Sequence, residues 1–223
     1  MMIAVISDIH GNLPALLAVE KDMPEVELVL CAGDLVGYYP YPNEVIKEIR
    51  KLGARCIRGN HERAVIFRNH EHFNPTAKKA IEWTIQNMSS ESMEYIKNLR
   101  DNLLLTINGK RVALHHGAPF NEDFYLMPEN IDEELLKYDN ADLLIVGHTH
   151  IPVIVDYGEK AIINPGAVGQ PRDGNPKASY ALIDLENWNF EIRRVDYDLY
   201  EVVKKIEEMG LPENLAERLY YGF

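Results

Sequence analysis

The chain has 223 residues, a formal net charge of −12, 46% hydrophobic and 26% charged residues. This is the profile of a globular chain long enough to bury a sizeable core, and its negative field counts against partners such as DNA or an anionic membrane. No stretch is long and apolar enough to span a membrane, no basic segment followed by a secretory apolar core opens the chain, and Cys31 and Cys56 sit inside apolar runs as small buried hydrophobes of a reducing compartment do, so a cytoplasmic protein is expected.

Residues 2–7 read as a buried strand, short and partly β-branched. Gly11-Asn12 turns the chain into a helix over Leu13–Val19, with Pro14 tolerated near its start. Val26–Ala32 is the second strand and Tyr38-Tyr39-Pro40-Tyr41-Pro42 a rigid loop. Asn43 is expected to cap a helix that carries Val45, Ile46 and Ile49 on one face and ends at Gly53. Ala54–Arg58 is the third strand. The order β-α-β-α-β predicts parallel strands with crossover helices.

Two helices follow, one after Asn74-Pro75 and one opened by Ser89–Ser92, read as packing helices beside the site rather than as a lid. Strands resume at Asn102–Ile107 and Arg111–His115, joined by the hairpin signal Asn108-Gly109. Pro128–Tyr138 is predicted helical. Strands are predicted at 142–147, 152–157, 160–163, 179–184 and 189–195, and Tyr197–Leu219 reads as two amphipathic helices broken at Gly210-Leu211-Pro212. The expected organisation is one domain over residues 1–223, with a helical insertion at about 75–100 and a helical tail at about 197–219, in helix, sheet, sheet, helix layers.

Five apolar runs stop on polar residues able to hold a metal. Ile3–Ile6 leads to Asp8 and His10, Leu28–Ala32 to Gly33-Asp34, and Ala54–Ile57 to Gly59-Asn60-His61-Glu62. Val112–Leu114 leads to His115-His116-Gly117, and Leu143–Val146 to Gly147-His148-Thr149-His150. Six of the eight histidines lie at these strand ends, where open α/β sheets place their sites. Residues two apart on a strand point the same way, so Asp8 with His10, and His148 with His150, are expected to face one target if strand geometry persists. Imidazole nitrogen and carboxylate oxygen suit zinc, iron, nickel, cobalt and manganese. Two divalent ions held by Asp8 and Asp34 keep a net positive charge, which draws in a phosphate against the protein's own negative field.

The ordered set Asp8-x-His10, Gly33-Asp34, Gly59-Asn60-His61-Glu62, His116-Gly117 and Gly147-His148-x-His150 resembles the calcineurin-like metallophosphoesterase superfamily. Within it the likeness is to the compact branch of YfcE-like phosphodiesterases. The segments Asp8–Leu13, Gly33–Tyr38 and Asn164–Gly174 resemble a longer subgroup, almost to the carboxyl terminus. The resemblance implies an α/β fold, a four-layer αββα sandwich of two mixed sheets flanked by helices, and two divalent metal ions (manganese, nickel, iron, cobalt or zinc). It implies that Asp8, His10 and His150 bind one ion, that Asn60, His116 and His148 bind the other, and that Asp34 bridges them. The superfamily's protein phosphatases carry an arginine soon after the bridging aspartate; Leu35-Val36-Gly37-Tyr38 stands there instead, which argues against that class.

The expected activity is phosphoester hydrolysis, as phosphodiesterase or phosphatase, by in-line attack of a metal-bridging hydroxide on phosphorus. By resemblance His61 is the catalytic residue, not a ligand, and protonates the leaving oxygen; the alternative is a structural imidazole. Glu62 either orients His61 or is a first-turn helix residue favoured by the dipole. The resemblance favours His116 over His115 as the ligand, since the family ligand directly precedes the glycine.

Arg172, in a Gly- and Pro-rich loop with Gln170 and Asp173, is carried as a phosphate contact through its bidentate fork, and is equally readable as part of a solvated loop. Asn12 is carried as a weaker substrate contact and Tyr38 beside it, both also readable as turn or packing residues. His70 and His72 read as surface, and Trp83 and Trp188 as core or interface. The partner expected is a small phosphoester; no membrane is expected, the lack of a basic stripe or aromatic platform counts against nucleic acid, and oligomeric state is open. The rival classes are a metal-binding scaffold or protein-interaction module and, further off, a nuclease or dinucleotide polyphosphate hydrolase.

Overall fold

The computed structural model describes all residues, 1–223. Its first half builds β1 (Met2–Ile6), α1 (Leu13–Asp22), β2 (Leu28–Cys31), α2 (Pro42–Leu52), β3 (Arg55–Cys56), α3 (Asn60–Phe67), α4 (Pro75–Asn87) and α5 (Ser90–Lys97). Then come β4 (Asn102–Ile107), β5 (Lys110–His115), β6 (Leu143–Ile145), β7 (Val153–Asp156), β8 (Ala161–Asn164), β9 (Ala178–Asp184), β10 (Asn189–Val195), α6 (Leu199–Glu208) and α7 (Asn214–Tyr221). One five-stranded sheet has the order β10-β9-β1-β2-β3, the other β4-β5-β6-β8-β7. Both are mixed. Crossovers make β1, β2 and β3 parallel, and likewise β5, β6 and β8, while β9–β10, β4 and β7 pair antiparallel.

The inner strands β1, β2, β6 and β8 read as unbroken apolar runs because they are covered on both faces, while the edge strands β4 and β10 alternate with exposed residues. Ile3 and Val5 of β1, with Leu30, turn toward Val112, Leu114, Leu143 and Ile145 of the other sheet. Ala4 and Ile6 turn toward Leu16 and Val19 of α1 and Val45 and Ile49 of α2. On the outer face of the second sheet Ala113, Leu144 and Ile162 pack on Leu126, Leu135 and Leu136. A further cluster joins Tyr38 and Tyr39 to Ala77 and Ala80 of α4, Val202 and Ile206 of α6, and Leu215 and Leu219 of α7. No helix is long and apolar enough to cross a membrane.

Three local expectations need correction. Asn43 does not cap α2: the helix starts at Pro42 with Tyr41 before it, because proline suits the first helical position. The Asn43 amide instead donates to Asn87 O at 2.9 Å and accepts from Ser89 N at 2.9 Å, tying the end of α4 to the start of α5. Pro128–Tyr138 is not one helix but two 3-10 turns, Pro128–Asn130 and Glu133–Lys137. Ile131 and Asp132 are extended between them, and the Asp132 carboxylate accepts from Glu134 N at 2.9 Å, starting the chain afresh. The third strand is not Ala54–Arg58 but the two residues Arg55–Cys56, and the chain then turns into α3, whose first turn carries Glu62.

Candidate metal centre

The expected ligands converge, but not by strand parity. β1 stops at Ile6 and β6 at Ile145, short of the residues in question. Asp8, His10, Asp34, His148 and His150 all have left-handed backbone, with φ of 53°, 53°, 55°, 67° and 61°. Each such residue costs roughly 1 kcal/mol or more outside glycine. The strain is offset by the pairing of one loop with the next beyond the sheet edge: Asp8 N donates to Gly33 O (3.0 Å), His10 N to Asp34 O (2.9 Å) and Gly147 N to His116 O (2.8 Å). Residues from β1, β2, β5 and β6 are thereby gathered over the carboxyl ends of both sheets, and Asn60 and His61 arrive on the first turn of α3.

Two groups of donors result, Asp8–His10–His150 and Asp34–His116–His148, each with its ligand atoms within 4.8 Å of one another. His150 Nε2 lies 3.3 Å and His10 Nε2 3.8 Å from Asp8 Oδ1. In the second group His116 Nε2 lies 3.3 Å from Asp34 Oδ2 and 3.0 Å from Asn60 Oδ1, and His148 Nδ1 is 3.1 Å from His116 Nε2. Asp34 Oδ2 is also 3.6 Å from His10 Nε2. His61 forms a third group with His10 and Asp34, so its imidazole stands at the same centre.

The donors fit divalent cations on their own chemistry. His10 Nδ1 meets Val36 O at 3.1 Å, His116 Nδ1 meets Ala32 O at 2.7 Å, and His150 Nδ1 meets Gln170 O at 2.5 Å. A ring nitrogen facing a carbonyl carries a proton, so Nε2 is the nitrogen aimed inward, and on His10 and His150, both held below the usual range by burial, it bears a lone pair. His10 Nε2 and His150 Nε2 then oppose each other at 3.1 Å, an arrangement that a shared cation relieves. Asp8 Oδ1 and His148 Nε2 are buried without any hydrogen-bond partner, a costly state for polar atoms. Burial pushes the Asp8 carboxyl up, but the imidazoles of His150 and His116 outweigh it and hold it below its usual range. Burial likewise opposes ionisation of Asp34, and His116 and His61 hold it well below. His116 is lifted to about 9 against burial, chiefly by Asp34, whereas burial and His116 take His148 down to about 3. The pocket recruits positive charge.

Glu62 is the first-turn alternative rather than an orienter of His61. Its carboxylate accepts from Gly59 N (2.8 Å), Asp34 N (2.9 Å) and Val36 N (3.0 Å), clamping the Asp34 loop to α3. Its burial, with the charge of Asp34, raises it to about 7. A Cβ on Gly59 would stand 2.1 Å from Asp34 Oδ1, and one on Gly37, at φ 130°, 2.0 Å from His61 Nδ1, so both positions require the bare backbone. Burial takes His61 down to about 4, partly countered by Asp34. His115 points away from the centre, its ring nitrogens each 2.8 Å from Glu122 and Asp139. Glu122 also accepts from His116 N at 3.1 Å and so braces that loop.

A cavity of about 180 Å³ opens over Asp34, Asn60, His61, His148 and His150. Arg172 stands in its wall, its guanidinium donating to Tyr38 Oη (3.3 Å) and Gln170 Oε1 (3.0 Å). Asn12 does not reach it. Its Oδ1 accepts from Ala15 N as the cap of α1, and its Nδ2 donates to Gly169 O and Tyr197 Oη, so no polar atom is left for a substrate. His72, read as a surface residue, is exposed and yet forms part of the cavity wall with Phe73, Asp123 and Tyr125. Phe73 meets the His61 ring edge-on at 5.1 Å, and the Tyr125 ring covers His148 at 3.9 Å. Nothing in the sequence marks Asp123 or Tyr125, which reach the site on a long irregular loop. Phe73 is legible only as the hydrophobic residue before the cap Asn74.

The family model of the calcineurin-like phosphoesterase superfamily domain matches residues 1–188, and the chain belongs to this superfamily of metal-dependent phosphoesterases. An uncharacterized protein of Methanocaldococcus jannaschii is 38% identical over 241 residues, covering 99% of this chain and 98% of that protein. The phosphodiesterase YfcE of Escherichia coli is 28% identical over 196 residues, covering 82% and 88%. The crystal structure of a metallophosphoesterase from Sphaerobacter thermophilus superposes with a TM-score of 0.88 at 34% identity, covering 100% of this chain and 99% of that one.

Proposed function

We propose that the chain hydrolyses small phosphoesters with two divalent ions. Asp8, His10 and His150 would hold one, Asn60, His116 and His148 would hold the other, and Asp34 would serve both. The observation that carries this is Asp34 Oδ2, a single carboxylate oxygen 3.3 Å from His116 Nε2 and 3.6 Å from His10 Nε2, at the seam of the two donor groups. Nitrogen and oxygen donors without thiolate favour manganese, iron, cobalt, nickel or zinc.

Bound ions supply Lewis acidity, which lowers the pKa of water and absorbs charge on the phosphoryl oxygens. The chain supplies the rest. Arg172, whose hydrogen bonds go to neutral partners, offers its charge and planar fork to a phosphoryl oxygen. His61, neutral at pH 7 when free, donates a hydrogen bond to the leaving oxygen; the negative charge of a bound phosphoester raises its basicity, so that it takes up a proton from solvent and passes that proton to the leaving oxygen. Tyr125 shields His148 from bulk water. A cavity of about 180 Å³ suits a small substrate, and two free buried cysteines agree with a reducing, cytoplasmic setting.

The test is metal analysis of the purified chain, followed by a panel of phosphomonoesters and phosphodiesters assayed against manganese, iron, cobalt, nickel and zinc. Two ions per chain and turnover of at least one ester are expected. Bound metal with no turnover across the whole panel would favour the scaffold class instead.

A further inference from the structure

The cavity over the metal centre has a neighbour. A second cavity of about 230 Å³ opens beside it, and Asn60, His72, Phe73 and Asp123 belong to the walls of both. Phe73 stands at the join, with its ring against His61 on one side and 4.8 Å from the His72 ring on the other. Beyond it the wall is completed by Arg63 and by Phe67, the last residue of α3. Phe67 is 66% exposed, a large apolar ring left open to solvent beside a polar centre.

The charges of the two cavities differ. Arg172 enters the first with neutral partners only. Arg63 in the second is hydrogen-bonded to the Asp123 carboxylate, with Asp101 3.6 Å from its Nη1, so its charge is offset in place while Nη1 keeps an unpaired N–H. A phosphoryl group therefore belongs on the Arg172 side. An anionic substituent on the Arg63 side meets the Asp123 carboxylate, whereas a neutral hydroxyl or ring nitrogen can accept from Arg63 without that repulsion. A planar uncharged group gains the faces of Phe67 and Phe73.

We propose that this second cavity is the leaving-group subsite, and that the leaving group is an uncharged aromatic alcohol, either an aryl alcohol or a nucleoside. The inference rests on the phosphoesterase reading, because it takes His61 as the neighbour of the leaving oxygen and Phe73 as the neighbour of His61. In the reaction the oxygen of water bonds to phosphorus and the P–O bond to the aromatic moiety breaks. The departing oxygen takes a proton through His61, and the alcohol leaves over Phe67.

The experiment compares the full-length, manganese-loaded chain with Phe67→Ala and Phe67→Tyr on bis-p-nitrophenyl phosphate. Phe67 is exposed, at the last position of α3, and is not one of the metal donors, so the fold and the metal content should be kept. Phe67→Ala is expected to raise KM about tenfold with kcat held within about twofold, the sign of a lost binding contact, and Phe67→Tyr to restore KM. Inhibition by inorganic phosphate, which occupies the first cavity, should be unchanged. Competitive inhibition by adenosine that weakens in Phe67→Ala assigns the subsite to nucleosides; inhibition by p-nitrophenol alone assigns it to aryl groups. Turnover with a KM indifferent to Phe67→Ala overturns the subsite and leaves the phosphoesterase reading standing, as does preference for a dinucleotide polyphosphate, whose leaving group is anionic. Absence of turnover on every ester overturns the phosphoesterase reading itself.

Discussion

Asp34 decides the chemistry at the scale of single residues. Asp34→Asn keeps the shape but removes a negative charge from a place shared by both donor groups, and it puts an amide against imidazole lone pairs. Less than one tightly held ion per chain is expected by metal analysis, with activity lowered by about a hundredfold or more. Gly59→Ala should give the same loss without replacing a ligand, since its Cβ would stand 2.1 Å from Asp34 Oδ1 and displace that carboxylate; circular dichroism should still report a folded chain. His61→Ala separates two roles that geometry alone permits. As a proton or hydrogen-bond donor, its loss slows kcat by about a hundredfold to ten-thousandfold with metal content intact. If the variant loses an ion, His61 is a ligand, as its grouping with His10 and Asp34 also allows.

Elements act here through their ends. The sheets deliver five strand termini to one place, and the connecting loops, not the strands, aim the side chains. Helix α3 is the clearest case, because Glu62 on its first turn satisfies three backbone N–H groups, two of which lie in the Asp34 loop. Glu62→Ala leaves those buried donors without partners and is expected to cost about 3 kcal/mol, measurable by urea denaturation. Apparent metal affinity should fall with it. Glu62 was readable as a first-turn helix residue, yet its clamp on the neighbouring loop was not, because that loop lies 28 residues earlier in the chain.

The carboxyl-terminal helices matter at the scale of the whole molecule, although the family match ends at residue 188. Leu215 of α7 is fully buried against Tyr39 and α4, and Tyr39 Oη accepts from Gln170 Nε2 at 2.9 Å. Gln170 in turn holds Arg172. Leu215→Ala is expected to lower stability by about 3 kcal/mol through the cavity it leaves, seen as a lower denaturation midpoint. Because the loosened support lies under Arg172, KM for a phosphoester should rise more than kcat falls.

The amino-acid order placed nearly all the strands along the chain and the polar residues that end five of them, because each apolar run and the residue closing it are local features, while the layered fold and the candidate ligand set came with the family resemblance those motifs carry. It left undecided whatever depends on partners distant in sequence. His115 and His116 are adjacent and of one type, and only the placement of Glu122 and Asp139 turns one of them away from the centre. Asn12 looked available until the fold gave both its polar ends a structural partner. Asp123, Tyr125 and the Phe67–Phe73 wall carry no signature in their neighbours and became part of a cavity only through packing. Short-range patterning sets which groups can bind or react, while the direction each one faces is set by hydrogen bonds and contacts that only the folded chain assembles.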